Sequence, residues 1–185
     1  MEQDTKTRTD EAQARREMAA SELQENREPS SPAMPVVVCG KTEQVGRIVI
    51  ASLKPEYDVI HFITSPTSGA SILPALLESR TPPFHVETST IGSGNYAAAP
   101  RAVILGAAFD DAAATVLQEA VADARARSSA GVRTVPWLRN DPSKPAPPRG
   151  GPGYGEAVVS RVREALVRLE DEGKLDGSYG GDEWY

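Results

Sequence analysis

The feature that most constrains the fold is an apolar run that leads through a glycine turn into a helix. Residues 36–39 are continuously apolar and mostly β-branched, which is typical of a strand buried on both faces of a parallel sheet. Gly40 follows directly, and residues 44–53 then place apolar side chains at helical spacing. A strand, a glycine turn and a helix in this order begin many nucleotide-binding α/β domains. The segment therefore predicts an α/β fold and marks where a ligand would bind.

The same alternation of strand and helix continues along the chain. We predict strands at residues 36–39, 57–63, 102–108 and 132–138, and a short additional strand at 84–88. We predict helices at residues 44–53, 67–80, 113–124 and 156–172. Pro74 is expected to lie in a first helical turn or to divide its helix into two. Alternating elements imply right-handed crossovers, so we predict a three-layer, Rossmann-like α/β domain with a mostly parallel sheet of four to five strands and a C-terminal docking helix.

Composition divides the chain into five parts. Residues 1–33 are polar and are predicted to be a disordered N-terminal tail. Residues 34–139 are predicted to form the α/β domain, and the proline- and glycine-rich residues 140–155 to form a semi-rigid connector. Residues 156–173 are predicted to be an amphipathic helix of the same domain, and the acidic, aromatic residues 174–185 are expected to be a flexible tail.

The C-terminal helix carries an apolar stripe that has to be buried. Its members recur at helical spacing: Val158, Val162, Ala165, Leu166 and Leu169. The stripe is expected to pack on the sheet of this chain or on a partner, and one prediction is a homodimer through this helix.

Charge and composition exclude several classes of protein. The net charge is -6, and a chain without a basic surface is not expected to bind nucleic acid. One cysteine allows no intramolecular disulfide and no cysteine-based zinc site, and with two histidines no metal site is predicted. The sequence has neither an apolar run of about 18 residues nor a signal-peptide pattern. We therefore expect a cytoplasmic protein that does not enter a membrane.

The ligand site is expected at the carboxyl ends of the strands, where open α/β sheets bind their ligands. The turns that follow these strands contain glycines, hydroxyl groups and one lysine. The residues predicted to contact a ligand are Gly40, Lys41, Thr42, Gly46, Ser65 and Gly106.

Two nucleotide-binding motifs can be compared with the glycine turn. A P-loop has a glycine five residues before its Gly-Lys pair, but Pro35 stands there, so a P-loop is rejected. A dinucleotide fingerprint has glycines between its outer pair, whereas residues 41–45 contain none and Glu43 brings a carboxylate to the positive end of the helix. The second strand also lacks the terminal acid that holds an NAD ribose. No cofactor is therefore predicted, and NAD(P) is kept as the alternative.

No constellation of catalytic groups is recognisable, and the catalytic residues are left unassigned. Cys39 ends a strand ahead of a helix and is either a nucleophile with a lowered pKa or a small buried hydrophobic residue. Tyr96 lacks the lysine that follows the catalytic tyrosine of short-chain reductases four residues later, because that position is Pro100. Asp110 and Asp111 are explained as residues that cap the start of a helix.

Residues 35–138 resemble Rossmann-like NAD(P)-binding proteins in the order of their elements and in the turn from Cys39-Gly40 to Gly46. Together with residues 53–60 and the Gly-Pro-Gly-Tyr run at 151–154, they are similar to small fungal proteins of this kind that have no assignable activity. The resemblance implies an accessory, non-catalytic module that binds a small molecule or a protein partner through the carboxyl edge of its sheet. The alternative is a small NAD(P)-dependent oxidoreductase with a degenerate glycine turn.

Overall fold

A computed structural model describes residues 32–86, 89–128, 131–148 and 151–185. The N-terminal tail predicted for residues 1–33 lies almost wholly outside these residues. The described elements, in chain order, are β1 (Met34–Cys39), α1 (Glu43–Leu53), β2 (Tyr57–Ile63), α2 (Pro66–Leu77), β3 (Val103–Leu105), α3 (Asp111–Arg127), β4 (Trp137–Arg139), α4 (Tyr154–Asp171) and β5 (Asp182–Trp184). The predicted alternation of strands and helices is confirmed.

The described strands form one parallel sheet of five strands in the order β2-β1-β3-β4-β5. This order defines a doubly wound α/β sheet in which the direction of winding reverses between β1 and β3. At that reversal Cys39 pairs with Leu105, so the turns beginning at Gly40 and Gly106 leave the sheet side by side. The predicted three-layer, Rossmann-like fold is confirmed, and the predicted edge for a ligand corresponds to this reversal.

Each face of the sheet is covered by two helices and has its own apolar core. Along β1, Val36 and Val38 point into one core, whereas Val37 and Cys39 point into the other. Helices α1 and α4 cover the first face, which we call the α1–α4 face, and helices α2 and α3 cover the second, the α2–α3 face. The continuous apolar run of β1 is therefore explained, because both sides of the strand are buried.

The apolar stripe of the C-terminal helix is buried within this chain. Val162, Leu166 and Leu169 are inaccessible to solvent and belong to the core of the α1–α4 face. Gly155 lies so close to α1 that a Cβ atom there would be 2.7 Å from Cγ2 of Ile48. The helix therefore packs on its own sheet and on α1, which was one of the two predicted arrangements.

Helix α2 runs without interruption through Pro74. The expectation that Pro74 would begin or divide the helix is therefore wrong. Proline removes one backbone donor from a helix interior. The neighbouring residues Leu73, Leu76 and Leu77 are at most 1% exposed, and their burial offsets that loss.

The C-terminal residues form an ordered edge strand, and the prediction of a flexible tail at 174–185 is wrong. Strand β5 pairs with β4, and the carboxylate of Glu183 accepts hydrogen bonds from Arg168 Nη1 at 2.9 Å and Lys174 Nζ at 2.8 Å. The ring of Tyr185 is buried, and its hydroxyl donates to the Leu105 carbonyl oxygen at 3.0 Å. The Tyr185–Leu105 contact joins residues 80 positions apart, so local composition does not reveal it.

Three predicted strands differ from the observed ones in length or existence. The strand predicted at 102–108 is confined to Val103–Leu105, and the strand predicted at 132–138 is observed only at Trp137–Arg139, which extends one residue beyond the predicted end. The strand predicted at 84–88 is not present over residues 84–86, which form a turn, and residues 87–88 lie outside the described part of the chain. The outer edge of β2 is instead covered by the loop at residues 93–94, whose N–H groups donate to Val59 and Ile60.

Candidate functional site

A cavity of about 250 Å³ opens at the carboxyl edge of the sheet where β1 and β3 diverge. It lies on the α1–α4 face, between the two helices, and its surface is predominantly apolar. Its walls are formed by Val38, Cys39, Gly40, Lys41, Thr42, Val45, Gly46, Val49, Phe62, Ile104, Gly106, Ala107, Ala108, Tyr154, Val158 and Tyr185. The cavity is thus located where doubly wound α/β sheets bind ligands.

Five of the six residues predicted to contact a ligand line this cavity: Gly40, Lys41, Thr42, Gly46 and Gly106. Ser65 is not among its lining residues. The Ser65 hydroxyl accepts a hydrogen bond from the Ser68 backbone N–H at 3.1 Å and so caps helix α2 on the opposite face of the sheet. The structure therefore assigns Ser65 a capping role and brings the other five together.

The glycine turn after β1 is filled by an aromatic side chain from β2. A Cβ atom on Gly46 would lie 2.7 Å from the Phe62 ring, and one on Gly40 would lie 3.0 Å from it. A contact below 3.0 Å cannot be accommodated without movement, so Gly46 is required for α1 to approach Phe62. The glycine spacing that resembles a dinucleotide fingerprint is therefore explained here by packing against Phe62.

Gly106 is required by the close approach of β1 and β3. A Cβ atom there would lie 2.9 Å from the Cys39 carbonyl oxygen, which also accepts a hydrogen bond from the Gly106 N–H at 2.8 Å. The glycine keeps the two strands paired up to the point where the cavity begins. It thereby shapes the floor of the cavity.

Cys39 is fully buried beneath the cavity, and burial raises the pKa of its thiol far above the usual value. The thiolate is the nucleophilic form of cysteine. Of the two interpretations of Cys39, the structure favours the small hydrophobic residue over the nucleophile.

Sequence reasoning missed the aromatic part of the cavity wall. Tyr154 begins α4 and is half-buried, and Tyr185 follows β5 and is 1% exposed. Burial raises the pKa of the Tyr185 phenol, which therefore stays uncharged near neutral pH. Neither residue carries a sequence signal for a ligand site, because both reach it through the docking of distant elements.

The charges near the cavity lie at its mouth. Lys41 is exposed and is the one charged side chain among the described residues that line the cavity. Glu43 is the first residue of α1, so its carboxylate lies at the positive end of the helix, as expected. There it accepts a hydrogen bond from the Ser89 hydroxyl at 2.6 Å and pairs with Arg47 at 3.3 Å. Apart from Lys41, the described residues therefore bring no charged side chain to the cavity.

His61 and Tyr96 interact with each other away from the cavity. Nδ1 of His61 lies 2.8 Å from the Tyr96 hydroxyl, and burial lowers the pKa of the histidine. Neither residue is among those that line the cavity.

Within the described residues no group of three or more His, Cys, Asp or Glu side chains is arranged to hold a metal ion. No described helix is long and apolar enough to cross a membrane.

The sheet order and the position of the cavity define an α/β protein of the doubly wound, Rossmann-like class. No model of a protein family matches the chain, and no solved structure matches it. The protein "Kojic acid related protein 6" of Aspergillus oryzae (strain ATCC 42149 / RIB 40) is 36% identical to it over 144 residues, which are 77% of this chain and 82% of the relative. The chain belongs to the same family as that protein.

Proposed function

We propose that the protein is a non-catalytic module that binds a small molecule in the cavity at the reversal of its sheet. The observation that carries this proposal is a cavity of about 250 Å³ with predominantly apolar walls at that position. Concave, mostly apolar cavities at such points are the usual ligand sites of α/β proteins. The size of the cavity favours a small molecule over a protein segment as its occupant.

The residues that line this cavity include no arranged set of catalytic groups, which supports a binding function over an enzymatic one at this site. The buried Cys39 thiol stays protonated, and the hydroxyl of Tyr185 is held by a backbone carbonyl. Neither group is therefore available to move a proton or to attack a substrate at neutral pH.

The alternative, an NAD(P)-dependent oxidoreductase, has weaker support. The ring of Phe62 occupies the space next to Gly40 and Gly46 in which the backbone of a dinucleotide-binding turn approaches pyrophosphate. Lys41 is the feature that favours this alternative, because it could pair with a phosphate at the mouth of the cavity.

The name of the relative suggests one ligand to test. It refers to kojic acid, a single-ring compound small enough for a cavity of about 250 Å³. We therefore propose kojic acid as the first natural compound to titrate against this protein.

The proposal is tested by titrating the protein with 2-naphthol, a fluorescent apolar probe, and with kojic acid. We expect saturable binding of 2-naphthol that is abolished in Ala107→Leu, because Ala107 is half-exposed at the cavity wall and a larger side chain there fills the space. Ala112→Leu is the matched control, since Ala112 is exposed on α3 and lies outside the cavity. Absence of binding, or equal binding by both variants, would contradict the proposal.

The alternative is tested in the same experiment with NADH and NADPH. The proposal expects no saturable change in nicotinamide fluorescence at millimolar cofactor. Saturable binding of either cofactor that Lys41→Ala weakens would favour the oxidoreductase.

A further inference from the structure

The cavity walls also restrict the chemical class of the ligand, and this inference rests on the proposed function. We infer that the ligand is an uncharged, planar ring compound of one or two fused rings, and not a phosphate or a carboxylate. Three properties of the cavity carry the inference: the charge of its walls, its aromatic side chains and its volume.

Below the mouth, no side chain of the described lining residues offers a charge to an ionised ligand. Apart from the exposed Lys41, these side chains are apolar or neutral. The backbone N–H groups of Gly40 and Gly106 already donate to Ile63 and Cys39. Transfer of an unpaired charge from water into such surroundings is strongly unfavourable. A ligand that fills the interior is therefore uncharged.

Three aromatic side chains from separate elements line the cavity: Phe62 of β2, Tyr154 of α4 and Tyr185 after β5. An aromatic ligand is stabilised by each well-placed aromatic side chain beyond the burial of apolar area. A planar aromatic ring is stabilised by these contacts and by burial, whereas a saturated ring of equal size is stabilised by burial alone.

The volume limits the ligand to a small ring system. The cavity measures about 250 Å³, which is below the range of roughly 300–1,000 Å³ that is usual for drug-sized ligands. The aliphatic side chains of Val45, Val49 and Val158 bound it from both helices. One or two fused rings fill this space.

Three probes of similar size test separately whether the ligand has to be uncharged and whether it has to be planar. 2-Naphthol is planar and uncharged at neutral pH, 2-naphthoate is planar and anionic, and decahydro-2-naphthol is uncharged but not planar. Binding of each probe to the 185-residue chain is measured by calorimetry. We expect 2-naphthol to bind about tenfold more tightly than 2-naphthoate, because the charge is desolvated without a partner. We expect a smaller advantage of about fivefold over decahydro-2-naphthol, because the aromatic contacts are lost.

The aromatic contribution is checked with Tyr154→Leu, which keeps the wall apolar and removes the ring. This variant should weaken 2-naphthol binding about twofold, since one of the three aromatic contacts is lost, and leave decahydro-2-naphthol binding unchanged. Tyr96→Leu is the matched control, because Tyr96 is also half-buried but lies outside the cavity. Thermal melting of both variants establishes that each is folded.

The outcomes distinguish this inference from the proposed function. If 2-naphthoate binds as tightly as 2-naphthol, or decahydro-2-naphthol does, the inferred ligand class is wrong while the binding function stands. If none of the three probes binds, the proposed function and the inference both fail.

Discussion

The two faces of the sheet differ in how completely they are packed and in how their helices begin. On the α2–α3 face, Ser65 and Asp110 cap their helices with side-chain hydrogen bonds, and the core there is continuous between α2 and α3. On the α1–α4 face, neither Thr42 nor Gly153 makes a side-chain cap, and the cavity lies between these helices and the sheet near the carboxyl edge.

This difference indicates how the molecule divides structural and functional roles. A side-chain cap contributes about 0.5–2 kcal/mol to stability, and a dense interior contributes through every buried side chain. The α2–α3 face has both and acts as the structural support of the sheet. The α1–α4 face is less densely packed at one end, and the space there is available to a ligand.

The largest expected loss of stability results from a substitution in the core of the α2–α3 face. Leu117 is inaccessible to solvent and packs against Gly69, at which a Cβ atom would lie only 2.6 Å from the leucine side chain. Leu117→Ala should lower the free energy of unfolding by about 3 kcal/mol, because it leaves a void in a packed region. Chemical denaturation measures this. A loss below about 1 kcal/mol would mean that this face is as loosely packed as the other.

The second effect tests the ion pairs that hold β5 against the α1–α4 face. Burial opposes ionisation of Glu183, but hydrogen bonds from Lys174, Arg168 and Tyr179 outweigh it and lower the pKa of the carboxyl. A carboxyl with a lowered pKa stabilises the fold above its unfolded pKa and ceases to do so as the pH falls through its folded pKa. Glu183→Gln should therefore cost about 2 kcal/mol at neutral pH.

The pH dependence of that variant supplies its control. The difference in unfolding free energy between the natural protein and Glu183→Gln should shrink as the pH falls below the ordinary glutamate value of 4.5. A difference that is constant between pH 7 and pH 3, measured by denaturation at each pH, would show that the carboxylate charge does not hold the strand.

The third effect compares the helix starts on the two faces. Asp110 accepts a hydrogen bond from the Ala113 N–H at 2.9 Å, so Asp110→Ala should lower the free energy of unfolding by about 1 kcal/mol. Thr42→Ala is the matched change on the other face and should have almost no effect, because Thr42 makes no such bond. If thermal and chemical denaturation show equal losses of stability in the two variants, the helix starts on the two faces do not differ in capping.

The smallest effect tests the predicted homodimer. The inward stripe of α4 is buried in its own chain, whereas Val167 on the same helix is 51% exposed. Val167→Glu should change the free energy of unfolding by less than about 0.5 kcal/mol. Sedimentation provides the second measurement. A dimer formed through this helix would dissociate in the variant, whereas an unchanged mass would show that the helix is not part of a dimer interface.

The features that depend on local pattern could be predicted from the sequence. The apolar run of β1, the capping role of Asp110 and the stripe of α4 each follow from residue type and spacing, and the structure confirms them. The edge of the sheet at which the cavity lies could also be predicted, because the carboxyl ends of parallel strands meet there.

The features that depend on contacts between distant residues could not be predicted. Phe62 fills the glycine turn only because β2 lies next to β1, and no local signal in residues 40–46 reveals it. Tyr185 reaches the cavity because β5 pairs with β4, although its neighbours Asp182 and Glu183 are typical of an exposed tail. The ion pairs of Asp182 and Glu183 and the buried ring of Tyr185 together hold that strand in place.

The most direct test of the central claim is a map of amide chemical shifts during titration with 2-naphthol. The binding site on the α1–α4 face predicts that the largest changes occur at residues 40–46, 106–108 and 154–158, with small changes in α2 and α3. The same titration of Ala107→Leu should give no saturable change. Largest changes on the α2–α3 face, or an unaltered spectrum of the natural protein, would contradict a ligand site at the reversal of the sheet.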